Sequence, residues 1–196
     1  IENFKTNANN SLLRDFYRAQ YQGIQRCNLA IAQVAKMDLD DTLSEELKTR
    51  LIGEAHFMRG YYYFRLVRIF GGVPYVDKNI DSSDNWHQPR ASVDDIYRHI
   101  IEDFTAAESM LCNKSKYAAE DLGRATKGAA QAMLLKTYLY MHDYDNAYVW
   151  GKKFMEEQNN EYSLCANYMD NFTLAGENGQ ESVFEIQYME DPTSDY

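Results

Sequence analysis

Apolar and aromatic residues recur every three to four positions through most of this chain, the period that gathers side chains on one side of an α-helix. From about Leu13 to Ala35 the stripe is Tyr21, Ile24, Asn28, Ile31 and Val34. A second helix is expected from Thr42 to Phe70, because Thr42 and Glu45 have the spacing of a capping box, in which each side chain satisfies a backbone donor of the other residue. Its packing side reads Ala55, Met58, Tyr62, Leu66 and Ile69, while Arg59, Arg65 and Arg68 reach past it on their aliphatic stems. Gly71-Gly72 ends that helix and Pro74 keeps it from resuming. Ser92 with Asp95 opens a third helix that buries Ile96, Ile100, Phe104, Ala107 and Leu111. Thr126 caps a fourth, with Ala129, Ala132, Met133, the stem of Lys136 and Tyr140 on its core side. After a turn at His142-Asp143, a fifth runs from Tyr144 to Glu157. Alternation of Phe184, Ile186 and Tyr188 predicts a short strand over 183–188.

The helices repeat. Ala55-His56-Phe57-Met58-Arg59-Gly60-Tyr61-Tyr62-Tyr63 aligns with Ala132-Met133-Leu134-Leu135-Lys136-Thr137-Tyr138-Leu139-Tyr140 by residue type, and helices one and three fall at a similar offset before them. The fold expected is mainly α: tetratricopeptide-like helix pairs over about 13–72 and 92–142, a helix over 144–157, long loops, and minor β within 160–190. The offset of roughly 75 residues exceeds the ~34 of a regular tetratricopeptide array because long loops intervene. One loop, Tyr75 to Arg90, joins the two pairs; a second spans Asn160 to Gln180. Insertions on a repeat scaffold gather on one face, often the binding face.

The run Glu54-Ala55-His56-Phe57-Met58-Arg59-Gly60-Tyr61-Tyr62-Tyr63-Phe64-Arg65-Leu66-Val67-Arg68-Ile69-Phe70-Gly71-Gly72-Val73-Pro74 resembles the SusD/RagB family of nutrient-binding outer-membrane lipoproteins of Bacteroidota. The acidic helix from Ser92 to Leu111, the helix entry Gly123-Arg124-Ala125-Thr126-Lys127-Gly128-Ala129-Ala130, Asp143-Tyr144-Asp145-Asn146-Ala147 and Glu181-Ser182-Val183-Phe184-Glu185-Ile186-Gln187 follow in the family's order. The resemblance implies an N-terminal to central portion of a longer protein, 1–196 forming a single helical-repeat region truncated at both ends. It also implies an export signal and a lipid-bearing cysteine before Ile1, hence a surface-exposed outer-membrane lipoprotein.

Composition narrows the function. With 196 residues, 45% of them hydrophobic, the chain builds one ordinary core. A net charge of -10 argues against nucleic acid, which needs a concentrated positive field. No apolar run is long enough to span a bilayer, so membrane association falls to the implied lipid anchor. Cys27, Cys112 and Cys165 lack the close pairs of a zinc or redox motif and read as separate thiols.

Catalytic signatures are weak. His56, His87, His99 and His142 form no metal-binding pattern, and no metal or cofactor is expected. Asp38, Asp40 and Asp41 followed by Glu45 and Glu46 lack the central glycine of a calcium loop and read as a solvated helix start; Asp77, Asp81 and Asp84 carry a fainter calcium signal. Gly123 to Gly128 places Lys127 before the glycine rather than after it, so it reads as a helix entry and not a phosphate loop. Asp94-Asp95, Glu102-Asp103 and Glu156-Glu157 read as solvated helix faces, not a glycosidase pair.

The chain carries 16 Tyr, 9 Phe and 2 Trp. Flat rings cover the apolar C–H face of a sugar while polar neighbours bond its hydroxyls. Tyr61, Tyr62, Tyr63, Phe64, Tyr138 and Tyr140 sit at helical core spacing and read as packing. Trp86 lies in a polar loop beside Asn85, His87 and Gln88; it is either a sugar platform or an anchor of the loop to scaffold or subunit. Trp86, Asn85 and Tyr75 are the candidate ligand residues, chosen on local chemistry. The family resemblance implies a non-enzymatic glycan-capture protein that serves a SusC-like TonB-dependent transporter. A tetratricopeptide-like adaptor that binds protein and no sugar is the alternative, and a helical glycan hydrolase ranks last.

Overall fold

Five α-helices make up most of the computed structural model, which describes residues 9–79 and 87–188. They are α1 (Ser11–Val34), α2 (Glu45–Phe70), α3 (Val93–Met110), α4 (Lys127–Tyr140) and α5 (Tyr144–Glu157). Each starts at a polar cap whose side-chain oxygen accepts the amide three residues on: Asn10 from Leu13, Ser44 from Leu47, Ser92 from Asp95, Thr126 from Ala129 and Asp143 from Asn146. Such caps satisfy amides that the first helical turn leaves without partners.

At α2 the cap is Ser44 and not Thr42. The Thr42 amide and hydroxyl both donate to Asp40 Oδ1, at 2.8 and 2.7 Å, so Thr42 belongs to the turn that precedes the helix. Those bonds hold the Asp40 carboxyl below its ordinary range.

Consecutive helices pack in sequence, α1 on α2, α2 on α3, α3 on α4 and α4 on α5. This order corrects the expected packing side of α2. Flanked by α1 and α3, α2 buries the expected Ala55 and Leu66 but also Phe57, Arg59, Tyr63, Phe64 and Val67, while Met58 and Tyr62 are half-buried and Ile69 is exposed. A helix covered on two sides has no single stripe. The core continues through Ile96, Ile100, Phe104 and Ala107 of α3, all inaccessible to solvent, as the α3 periodicity predicts. Each such large side chain contributes about 1.5–3 kcal/mol by leaving water.

The α4 face is also rotated from expectation. Ala129 is buried, but Gly128, Ala130, Gln131, Leu134 and Thr137 complete the buried set, whereas Lys136 and Tyr140 face outward. Tyr140 still packs edge-on against Phe64 and lies under the Arg68 guanidinium. The turn into α5 needs His142 at φ 61.

Among the described residues there is no strand; the single isolated bridge joins Pro74 to Arg90. The segment 183–188, expected to be a strand, has no regular structure: Phe184 packs on Phe57 and Tyr61, while Ile186 and Tyr188 are exposed. Alternation alone forms no strand without a ladder partner for its backbone. Cys27, Cys112 and Cys165 are free thiols, and burial pushes Cys27 up to about 12. No helix among the described residues is long and apolar enough to cross a membrane.

Candidate functional site

The loop between the two helix pairs is fixed at both ends. Gly71 closes α2 at φ 69, a backbone shape that favours glycine, and its amide still reaches the Val67 carbonyl. Gly72 has a different reason to be glycine: a Cβ there would run into the Ala91 carbonyl oxygen. This close approach lets the Ala91 amide donate to the Val73 carbonyl at 3.0 Å and sets Pro74 opposite Arg90.

A buried polar group then holds residues 74–79 against the helices. Tyr21 Oη donates to the Pro74 carbonyl at 2.6 Å. Tyr63 Oη accepts from the Val76 amide at 2.7 Å and donates to its carbonyl at 3.1 Å. Asn28 Nδ2 donates to the carbonyls of Val76 and Lys78 at 3.0 and 3.1 Å, and its Oδ1 accepts from Arg59 at 2.8 Å. Arg59 in turn makes a two-point pair with Asp103 of α3, and His56 Nδ1 lies 2.8 Å from the same carboxylate. Loop carbonyls that would otherwise lose their hydration unpaired are thereby satisfied by α1 and α2, with α3 holding Arg59 through Asp103. Burial raises the hydroxyls of Tyr21 and Tyr63 above the ordinary tyrosine range.

Beside this anchored loop runs a groove of about 710 Å³ along α1. Tyr17 and Tyr21 form its aromatic wall, Pro74 and Val76 its far side, and Arg18, Gln22, Gln25 and Arg26 its polar rim. The two tyrosine rings lie 4.8 Å apart at 40°. Gln25 also pairs with Asn79, which ties the rim to the loop.

Of the three candidate ligand residues, Trp86 and Asn85 lie outside the described residues, as do Asp81 and Asp84. Tyr75 is half-buried: one face stacks on His99 at 3.6 Å and 4°, and the ring tilts against Tyr63 at 5.2 Å. Burial pushes its hydroxyl up to about 12. The ring is thus committed largely to scaffold contacts. Gln88 reaches the groove, and His87 beside it is exposed.

Periodicity misses two features. Glu102-Asp103 reads as a solvated pair, yet Asp103 is 2% exposed and neutralises Arg59, while Glu102 faces water with Arg98 and His99. Arg59 is likewise buried and does not reach past the helix. The one signal in the sequence is Asn28, a polar residue at a core position of the α1 stripe. The α1 groove residues carry no motif. Among the described residues no three His, Cys, Asp or Glu side chains come together to hold a metal ion.

The family described as starch-binding associating with outer membrane, SusD-like, matches residues 2–139. A SusD-like protein of Bacteroides ovatus is 29% identical over 195 residues, 95% of this chain and 35% of that protein. A crystal structure with xylogluco-oligosaccharide superposes with a TM-score of 0.81 at 29% identity, over 95% of this chain and 37% of that one. A laminarin-binding SusD-like protein gives a TM-score of 0.79 at 26% identity, over 87% and 37%. The chain spans about a third of the length of these relatives. With most of the chain matched and the helix-pair fold shared, the chain belongs to the SusD-like (SusD/RagB) family.

Proposed function

We propose that the protein of which this chain is part captures an oligo- or polysaccharide at the outer-membrane surface and passes it to a SusC-like TonB-dependent transporter, without chemistry on the sugar. The observation that carries this reading is the groove of Tyr17, Tyr21 and polar side chains beside a loop tied to three helices. Rings and amides at the mouth of a preorganised loop suit reversible sugar binding. Relatives that bind laminarin or hold a xylogluco-oligosaccharide support the ligand class. Trp86 and Asn85, carried by the same loop in sequence, are proposed to contact the ligand, with Tyr75 anchoring the start of that loop.

The outer side of α4 and α5 suits a protein partner. Tyr144, Tyr148 and Met155 are exposed there, together with Leu139, around an apolar furrow. An apolar face of this kind favours contact with protein. The transporter is the occupant proposed, and the lipid anchor of the family would hold the protein beside it.

A glycan array with the full-length protein, followed by calorimetry and a reducing-end assay on each hit, tests the reading. Saturable binding to one polysaccharide class with no released product is expected. Silence across the array would favour the protein-binding adaptor, and released product would favour a hydrolase.

A further inference from the structure

Among the described residues, the charged side chains that line the α1 groove, Arg18 and Arg26, are both cationic. Arg18 and Arg26 are both exposed, and among the described residues neither makes an ion pair and no Asp or Glu lines the groove. This contrasts with the chain as a whole, in which 30 Asp and Glu outnumber 20 Lys and Arg. Several other arginines are occupied: Arg50 and Arg124 with Asp121 and Glu54, Arg59 with Asp103, and Arg98 with Asp95 and Glu102, while Arg65 and Arg68 lie over aromatic rings. Two guanidinium groups left open beside an aromatic wall mark a place for an anion that also has an apolar face.

Spacing sets the size of that ligand. Arg18 and Arg26 stand eight residues apart on α1, so their Cα atoms are about 12 Å apart along the helix axis. Gln22 and Gln25 lie between them as neutral hydrogen-bonding groups. A single sugar is too short to meet both cations; a chain of sugars with acidic groups on different rings reaches both. The planar guanidinium matches a carboxylate or sulfate with two parallel hydrogen bonds, and Tyr17 and Tyr21 cover the C–H faces between the acid groups.

We infer that this groove binds an anionic polysaccharide, one bearing carboxylate or sulfate groups, with Arg18 and Arg26 as its charge-reading side chains. The inference rests on the glycan-capture reading and narrows it, since laminarin and xylogluco-oligosaccharide, the ligands of the relatives above, are uncharged.

The test uses the full-length protein and its Arg18→Gln/Arg26→Gln variant, titrated with polygalacturonate, dextran sulfate, laminarin and xyloglucan, with poly-glutamate as competitor. Binding to polygalacturonate or dextran sulfate is expected, whichever is preferred naming the acid group. The variant should lose that binding by about tenfold or more at unchanged melting temperature, as loss of charge-assisted bonds implies. Binding should weaken with salt and resist poly-glutamate. Binding of a neutral glucan with equal affinity by both proteins would overturn the anionic assignment and leave glycan capture standing. Polyanion binding that the variant retains, or that poly-glutamate abolishes, would also overturn it. Absence of binding to any glycan here or on the array would remove the capture reading itself.

Discussion

Arg59 and Asp103 meet side by side, Nε to Oδ2 at 2.9 Å and the terminal nitrogen to Oδ1 at 2.7 Å, in a pair 8% and 2% exposed that joins α2 to α3 beside the loop that follows α2. The same guanidinium reaches Asn28 of α1. One arginine therefore links three helices and, through Asn28, the backbone of the loop.

Breaking this pair should cost far more than a surface ion pair does. Asp103→Asn or Arg59→Met leaves one charge buried without its partner, and a loss of about 3–5 kcal/mol is expected in urea unfolding. The double variant Arg59→Met/Asp103→Leu should recover much of that loss. Two single variants within ~1 kcal/mol of the parent, as exposed ion pairs usually are, would show the pair to be solvated.

Asn28→Leu should separate loop order from helix formation. It leaves the Lys78 carbonyl without its Asn28 donor, the Val76 carbonyl with Tyr63 alone, and one Arg59 donor without its Asn28 acceptor, a cost of about 1–3 kcal/mol. Helical circular dichroism should persist while residues 76–79 gain amide hydrogen exchange. Unchanged exchange there would show that Asn28 does not hold the loop.

The two glycines after α2 should differ in kind. Gly71→Ala strains the positive φ and should cost about 1–2 kcal/mol. Gly72→Ala pushes against the Ala91 backbone. It should cost about 1–3 kcal/mol and also disturb exchange at the Ala91 amide, which bonds to Val73. Equal exchange at Ala91 in both variants would contradict this division.

Stability should fall on the alkaline side. Burial raises Tyr75 from 10.0 to about 12 and Cys27 from 9.0 to about 12, and it raises Tyr21 and Tyr63 too. Between pH 9 and 12 the unfolded chain therefore releases protons that the folded chain keeps, so the free energy of unfolding falls as pH rises. The contribution is complete below pH 9 and lost on the way to pH 12. Urea midpoints at pH 8, 10 and 11 should descend in that order; a flat profile would show these hydroxyls and the thiol to be solvated.

Trp86 and Tyr75 should respond oppositely. Tyr75→Ala removes the ring between His99 and Tyr63 and should lower the melting temperature. Trp86→Ala should weaken glycan binding with helical content and melting temperature nearly unchanged. A large stability loss at Trp86 would make it an anchor, and a binding loss at Tyr75 without destabilisation would make Tyr75 a ligand contact.

Local chemistry fixed much of this protein before any long-range contact. Ser92, Thr126 and Asp143 mark helix starts by side-chain to backbone bonds three residues long, and the apolar period of α3 names its buried apolar residues correctly. The run from Glu54 to Pro74 carried the family as well, since it joins the packing of α2 to a glycine-enforced exit. Tertiary packing decided the rest. Burial of α2 on two sides, the sinking of Arg59 and Asp103 into the core, and the failure of 183–188 to become a strand each depend on which partner lies opposite. The groove is of the same kind: Arg18, Gln22 and Arg26 are ordinary polar helix positions in the sequence, and they become a rim only where α1 meets Pro74 and Val76, 48 or more residues further along. Periodicity reports which side of an element is apolar; only the folded chain sets two sides, or two distant segments, face to face.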